Sequence, residues 1–517
     1  MGMGKEQERI NPMVSEKLRK ARDFEDQYSP FVPEEERPAF HVTGGIGWIN
    51  DPNGFSVYKG EYHLFFQYHP YRPIWGPMHW GHVKTRDFIR WERLPVALAP
   101  DQPYDKDGCF SGSAIELEDG RQLLMYTGVR AERQEDGTLK NYQTQCIAIG
   151  DGINYEKYEG NPVLTAADLP KGGSDIDFRD PKIWKEEDGF WAVAGNRPSD
   201  GSGSILLFHS EDGLHWQYKG RVASCHCQYG KMWECPDFFP LDGMDVLLVS
   251  PQEMMPTGLE FHAGNGTVCI IGKANEKKHL IRENVQAIDY GIDFYAPQTL
   301  LAQDGRRIMI AWMQNWDTAR SQLMTTRLVG QMTVPRELSI RDGRLIQQPV
   351  RELENYRGPR IAYRNVPLST ETHLMGIRGR IIDLTVNVRP ANGNLMYRWF
   401  KLHLAKDGEY ETTIRFKPDS GIVRVDRTRG GFPFDIVNMR EFPVYSKNGS
   451  IKLRCILDKR SLELFVNDGE QAASFVMHTP LSADVISFEA DGEVLIDVEK
   501  YDLFFDAGED EFSDTAQ

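Results

Sequence analysis

The sequence lacks the features that would take it to a membrane or to nucleic acid. No apolar stretch approaches the ~20 residues that a membrane-spanning helix requires, and the 60 Lys+Arg are outweighed by 76 Asp+Glu, giving a formal net charge of −16. With no basic tract to oppose that balance, polyphosphates and anionic surfaces are poor partners. The seven cysteines (Cys109, Cys146, Cys225, Cys227, Cys235, Cys269 and Cys455) are odd in number and scattered. That excludes a disulfide framework and fits reduced thiols in a cytosol. Cys225-His226-Cys227 has no second pair at zinc-site spacing, so no metal is expected there. The residues from Met1 to Glu6 have no apolar core for a secretory signal, and Glu6 breaks the myristoylation pattern. A cytoplasmic protein is the expectation.

Turn formers and aromatics are plentiful. Among 517 residues there are 47 Gly, 29 Pro, 11 Trp and 20 Tyr, enough chain for two or three domains and a composition suited to an all-β protein that stacks rings on sugars. One helix is expected near the start, where Val14, Leu18 and Ala21 share a face. It would lie in an N-terminal extension over 1–37 that packs on the main domain. Beyond Pro33 the pattern is of strands, among them Tyr62–Tyr68, Gln122–Tyr126, Phe190–Ala194 and Arg307–Trp312.

These strands recur at a long period. Asn50-Asp51-Pro52, Phe110-Ser111-Gly112, Arg179-Asp180-Pro181, Glu234-Cys235-Pro236 and Tyr295-Ala296-Pro297 open successive units at steps of 60, 69, 55 and 61 residues. A second signature runs in phase with the first: Asp87-Phe88-Ile89-Arg90-Trp91, Asp151-Gly152-Ile153-Asn154-Tyr155 and Asp212-Gly213-Leu214-His215-Trp216. Several short strands per unit, repeated five times, predict a five-bladed β-propeller over 38–348. A linker over 349–358 follows. Clean alternation in Ile382–Val388, Ile451–Arg454 and Leu462–Val466 then predicts a C-terminal β-sandwich over 359–505, and the acidic tail over 506–517 is expected to be disordered.

Radial repetition would bring Asp51, Asp180 and Glu234 to one cavity although they are far apart in sequence. One mismatch stands: both aspartates immediately precede Pro, whereas Glu234 lies two before Pro236. Around Asp51, the run Gly47-Trp48-Ile49-Asn50-Asp51-Pro52-Asn53-Gly54 reads as a short strand meeting a turn at Asn53-Gly54. It offers a carboxylate, an amide and an indole, the furnishings of a sugar pocket.

Trp48–Gly54, Phe178-Arg179-Asp180-Pro181 and Trp233-Glu234-Cys235-Pro236, in that order, resemble the three motifs of the invertases, or β-fructofuranosidases, of glycoside hydrolase family 32, which include the sucrose-6-phosphate hydrolases. The resemblance runs from about His41 through the sandwich. It implies a propeller followed by a sandwich, no cofactor, and a small sugar as partner. It also implies retaining hydrolysis of a terminal β-D-fructofuranosidic bond in sucrose, sucrose 6-phosphate or a short fructooligosaccharide, with fructosyl transfer or non-catalytic sugar binding as alternatives. By the same resemblance Asp51 is the nucleophile, Glu234 the acid/base, and Asp180 the group that binds sugar hydroxyls. Gln67, Trp75, Phe110 and Ser111 match positions lining the sugar site, with strand-end or packing roles as the plainer alternative. Trp48, Asn50 and Arg179 are further substrate-binding candidates, and Tyr295 and Trp312 weaker ones at the rim. His79 and His82 are expected to be structural. Sequence adjacency further suggests that Arg179 keeps Asp180 ionised and that Trp233 gives Glu234 an apolar wall.

Overall fold

The computed structural model describes residues 14–319, 326–368, 370–392, 396–432 and 436–505, and it is mostly antiparallel sheet. The expected acidic tail and the first 13 residues lie outside the described residues. Among the described residues, no helix is long and apolar enough to cross a membrane. The N-terminal helix spans Glu16–Tyr28 and is capped by Ser15, whose hydroxyl accepts from the Leu18 amide. Such a cap satisfies a donor that the first helical turn cannot. Leu18 and Ala21 are buried on its inner face, and Arg22 donates to the Val96 carbonyl and to Asn154. The helix is thereby fastened to two different sheets.

Five antiparallel sheets follow in chain order. Their leading strands are Gly47–Tyr58, Gly108–Glu116, Phe178–Glu186, Trp233–Leu241 and Tyr295–Leu301. The leading strand of the first sheet packs against those of the second and fifth, the second against the third, the third against the fourth, and the fourth against the fifth. The short strand Leu328–Val329 then returns to pair in parallel with Gly47 and Trp48, tying the end of this region to its beginning.

The two repeated signatures have separate structural reasons. In the second, the aspartate closes the turn between the third and fourth strands of its sheet. Asp87 Oδ1 accepts from the amides of Ile89 and Arg90, Asp151 Oδ1 from Ile153 and Asn154, and Asp212 Oδ1 from Leu214 and His215. The residue after each aspartate takes positive φ, at 63° for Phe88, 99° for Gly152 and 77° for Gly213. This is side-chain mimicry of a backbone turn. In the first signature, every leading strand breaks register at its triplet, between Ile49 and Pro52, Phe110 and Gly112, Glu234 and Asp237, Tyr295 and Gln298, and opposite Val193/Gly195 for Arg179 to Lys182. A bulge frees the proline from supplying a ladder donor and re-aims the side chains beside it.

The turn expected at Asn53-Gly54 is absent. Gly54, with φ 52°, lies in a second bulge of a continuous 12-residue strand that turns only at Lys59-Gly60. A Cβ on Gly54 would fall 2.5 Å from the Phe65 ring, so close packing as well as backbone freedom requires glycine.

The expected linker contains a six-residue 3₁₀ helix of about two turns, Arg351–Tyr356. After it, a six-stranded and a five-stranded sheet form a sandwich, with Leu384, Phe400, Leu402, Ile414, Leu453 and Phe488 among its fully buried residues. The sandwich meets the preceding sheets through buried charge. The ring nitrogens of His41 lie 2.8 Å from Asp458 Oδ2 and 3.0 Å from Glu463 Oε1, while Arg336 Nη2 lies 2.6 Å from Glu463 and its Nη1 3.0 Å from Asp289. Burial disfavours the imidazolium, but the two carboxylates outweigh it and push His41 up to about 9. The cation therefore contributes its full stabilisation below the unfolded value of ~6.5 and loses it as pH rises through about 9. His41→Gln should cost roughly 3 kcal/mol or more at neutral pH by stranding buried carboxylates. Thermal melts from pH 6 to 10 should show the wild-type Tm falling toward that of the variant; parallel curves would contradict this assignment.

Candidate active site

The bulges place two concentric sets of side chains at one end of the leading strands. Residues at the middle of each triplet form the inner set: Asp51, Ser111, Asp180, Cys235 and Ala296. Ser111 Oγ donates to Asp51 Oδ2 at 2.7 Å, and the Cys235 thiol lies 3.5 Å from that oxygen and 3.6 Å from Asp180 Oδ2. Asp180, Cys235 and Ala296 have φ of 64°, 48° and 52°. Non-glycine residues held there carry local strain, which concentrates at functional sites.

Residues at the first position form the outer set, and this resolves the spacing mismatch of Glu234. Its Oε1 accepts from Arg179 Nε at 2.8 Å, and its Oε2 from the Tyr295 hydroxyl at 2.7 Å. Arg179, Glu234 and Tyr295 are thus equivalent residues of three successive sheets joined side by side. Glu234 stands one position before the aspartates and has one methylene more. A third donor, Gln252 Nε2, reaches Oε2 at 3.0 Å.

Asp51 is buried, and burial raises its pKa above the ordinary carboxylate value; the charge of Glu234 adds to the rise. Hydrogen bonds from Ser111, from Asn50 Nδ2 at 3.1 Å and from Cys235 oppose it. For Asp180, burial and then the charge of Glu234 win over the opposing Arg179, pushing it up to about 7. The Cys235 amide donates to Asp180 Oδ2 at 3.0 Å, and Thr127 Oγ1 accepts from the Asp180 amide.

Two expectations from sequence adjacency need correction. Arg179 acts on Asp180 by charge in the expected direction but is outweighed by burial and Glu234, and its guanidinium hydrogen-bonds to Glu234 and Asp177 instead. Trp233 does not wall Glu234, because its indole is buried in the core and donates to the Tyr229 carbonyl. Successive strand residues face opposite ways, so a sequence neighbour is seldom a spatial one.

Of the other expected residues, Asn50 and Ser111 contact Asp51 directly and Trp48 reaches it through Asn50. Trp48 Nε1 donates to Asn50 Oδ1 at 2.8 Å, orienting the amide that reaches Asp51, and its ring stacks on Trp316 and meets Trp312 edge-on. Gln67 is buried and donates to the Cys109 carbonyl, next to Phe110. Trp75, 47% exposed, meets Phe110 edge-on at 6.0 Å. His82 pairs with His63, and His79 with the Pro77 carbonyl. Sequence reasoning missed Cys235, Gln252 and Tyr295 as contacts of the acids. The triplet repeat held the signal for Cys235 and Tyr295. Gln252 follows a second strand and has no such marker.

Chemically, this is a cluster of three carboxyl groups within reach of one another's charge, one of them ringed by hydrogen-bond donors. Such a pair-plus-one can attack an anomeric carbon, protonate a leaving oxygen and bind hydroxyls.

Comparison with known proteins agrees. The model of the glycosyl hydrolases family 32 N-terminal domain matches residues 41–349, and that of the glycosyl hydrolases family 32 C terminal matches 352–503. The chain is 35% identical over 483 residues to a sucrose-6-phosphate hydrolase of Zymomonas mobilis subsp. mobilis, covering 92% of this chain and 91% of that one. It is 36% identical over 468 residues to a raffinose invertase of Escherichia coli, covering 89% and 93%. A solved GH32 beta-fructofuranosidase of Bombyx mori superposes with a TM-score of 0.81 at 31% identity, covering 94% of this chain and 98% of that one. From its three ordered motifs, the converging acids and these matches along nearly its whole length, the chain belongs to glycosyl hydrolases family 32.

Proposed function

We propose that the protein is a retaining β-fructofuranosidase that hydrolyses the terminal β-D-fructofuranosidic bond of sucrose, sucrose 6-phosphate or short fructooligosaccharides. The convergence of Asp51, Asp180 and Glu234 from three sheets carries this reading. Relatives point the same way: several matched proteins are sucrose-6-phosphate hydrolases, and the Bombyx mori enzyme has been solved in complex with sucrose as a mutant. In this reading the five sheets are the blades of a propeller over 38–348. The linker over 349–358 and the sandwich over 359–505 complete the domain plan, and the N-terminal extension covers 1–37. The closed succession of leading strands supports the propeller. Small imported sugars suit a cytoplasmic site of action, as do seven free cysteines.

Asp51 attacks the anomeric carbon of the fructosyl unit while Glu234, protonated, delivers its proton to the leaving oxygen. The Glu234 carboxylate then takes a proton from the water that resolves the fructosyl-enzyme. Ser111, Asn50 and Cys235 hold Asp51 in place for attack. Asp180 binds sugar hydroxyls, while Trp48, Gln67, Trp75 and Phe110 shape the walls and Arg179 orients Glu234.

Asp51→Asn and Glu234→Gln should each lower kcat on sucrose by roughly a hundredfold to ten-thousandfold with circular dichroism unchanged; either variant working at full speed would refute its role. The pH profile of kcat/KM should be a bell. Its acid limb, where Asp51 takes up a proton, should lie above the ordinary aspartate value near 3.8, because burial raises that group. A profile without an acid limb would contradict the assignment. Assayed side by side, sucrose and sucrose 6-phosphate should both release fructose, and a preparation that cleaves neither would overturn the proposed function.

A further inference from the structure

We propose that Asp177 and Arg197 form a charge-balancing pair behind Arg179, positioning its guanidinium and setting the upper end of the pH range in which Glu234 delivers a proton. This rests on the acid/base role proposed for Glu234 and adds two residues that the family motifs do not include.

The pair is a product of strand register. Asp177 immediately precedes the leading strand Phe178–Glu186, and Arg197 immediately follows its neighbour Gly189–Asn196. Phe178 pairs with Asn196, so the next residues outward, Asp177 and Arg197, fall opposite each other. Their backbones are joined by a bond from the Arg197 amide to the Asp177 carbonyl at 3.1 Å. Asp177, just ahead of the strand, meets Arg179 directly, through the Arg179 Nη1 to Asp177 Oδ1 hydrogen bond.

One carboxylate consequently serves two guanidinium groups, one oxygen for each. Asp177 Oδ1 accepts from Arg179 Nη1 at 3.0 Å, while Oδ2 lies 2.9 Å from Arg197 Nε and 2.7 Å from Arg197 Nη2. Beyond Arg197 the chain of charges continues through Glu253, at 3.5 Å, to Lys231, 2.5 Å further on, and both of these outer groups are about half exposed. A continuous ionic path therefore runs from the partly buried Glu234 through Arg179, Asp177, Arg197 and Glu253 to solvent.

The charge of Arg179 bears directly on Glu234. Burial works against the guanidinium, but Glu234, Asp180 and Asp177 more than offset it, so Arg179 stays protonated. Gln143 Oε1 is its remaining partner, at 3.3 Å. The groups facing Glu234 are the Arg179 guanidinium from the third sheet, the Tyr295 hydroxyl from the fifth, and Gln252 from its own sheet. Asp51 and Asp180 act on it by charge, and Cys235 adjoins it. A guanidinium in hydrogen-bond contact favours the charged form of the acid it touches. Asp177 sits on the other side of that same Arg179 guanidinium and shares its charge, and Arg197 shares the charge of Asp177.

Opposite shifts on the two substitutions are the signature of such a balance. In Asp177→Asn the undivided charge of Arg179 should draw the proton from Glu234 earlier, moving the alkaline limb of the kcat/KM profile down by about half a pH unit or more. In Arg197→Gln the freed Asp177 should offset Arg179 more fully and move that limb up by a comparable amount, less at high salt because Arg197 is partly exposed. A pair with only a structural role would lower activity in both variants and leave the limb where it was. The measurement is the pH dependence of kcat/KM on sucrose for both variants beside wild type, with melts to confirm folding. Limbs that stay put, or move the same way, would overturn the inference. Should Asp177→Asn fail to fold, Arg197→Gln alone carries the test. Glu234→Gln in the same series separates the two levels: if it retains full activity the proposed role of Glu234 fails, whereas unmoved limbs with an inactive Glu234→Gln sink only the balancing pair.

Discussion

Carboxyl groups crowded together out of water repel one another, and that repulsion governs this structure. Burial alone opposes the ionisation of Asp51 and Asp180, and the charge of Glu234 adds to it at both. No local segment could hold such a group of acids, because each needs neighbours supplied by other parts of the chain. Asp51 is met by Ser111 from the second sheet and Cys235 from the fourth. Glu234 is met by Arg179 from the third and Tyr295 from the fifth. Closing the leading strands on one another supplies these partners together, and a fixed frame keeps them from relaxing away from the acids.

The frame is held at its edges by charge of a different kind. His41, Asp458, Glu463, Arg336 and Asp289 are fully buried between the sheets and the sandwich, each with an opposite charge in contact. Buried pairs of this sort add little net stability over apolar packing but penalise any other docking heavily. They fix how the sandwich seats on the sheets. The site depends on a different principle, in which like charges are brought together on purpose and balanced one hydrogen bond at a time.

Much of this was legible in the sequence because the same local problem recurs five times. Each leading strand bulges at its triplet, and a bulge leaves a written trace as Pro or Gly at a fixed place. Each sharp turn of the second signature needs an aspartate, and two of the three, Asp151-Gly152 and Asp212-Gly213, follow it with the glycine that positive φ favours, whereas Phe88 takes positive φ without that tolerance. Those traces located the five repeated units and pointed to the convergence of Asp51, Asp180 and Glu234. The partners of the acids were less legible. The hydrogen-bond partners of Arg179 and the setting of Trp233 were not legible, because successive strand residues face opposite ways. Gln252 and Asp177 escaped notice because they sit just outside the strands, where register places them and no motif marks them. The turn expected at Asn53-Gly54 failed for a related reason: turn chemistry and bulge chemistry use the same residues.

Covalent capture of the sugar on Asp51 tests the account most directly. In Glu234→Gln, Asp51 should still attack the anomeric carbon of an activated fructoside whose leaving group departs without a proton, and lacking a base for water the variant should accumulate the fructosyl-enzyme. Peptide mapping by mass spectrometry after an acid quench should find one fructosyl unit on the peptide containing Asp51. Turnover with no covalent species, or a label on any other residue, would contradict the account.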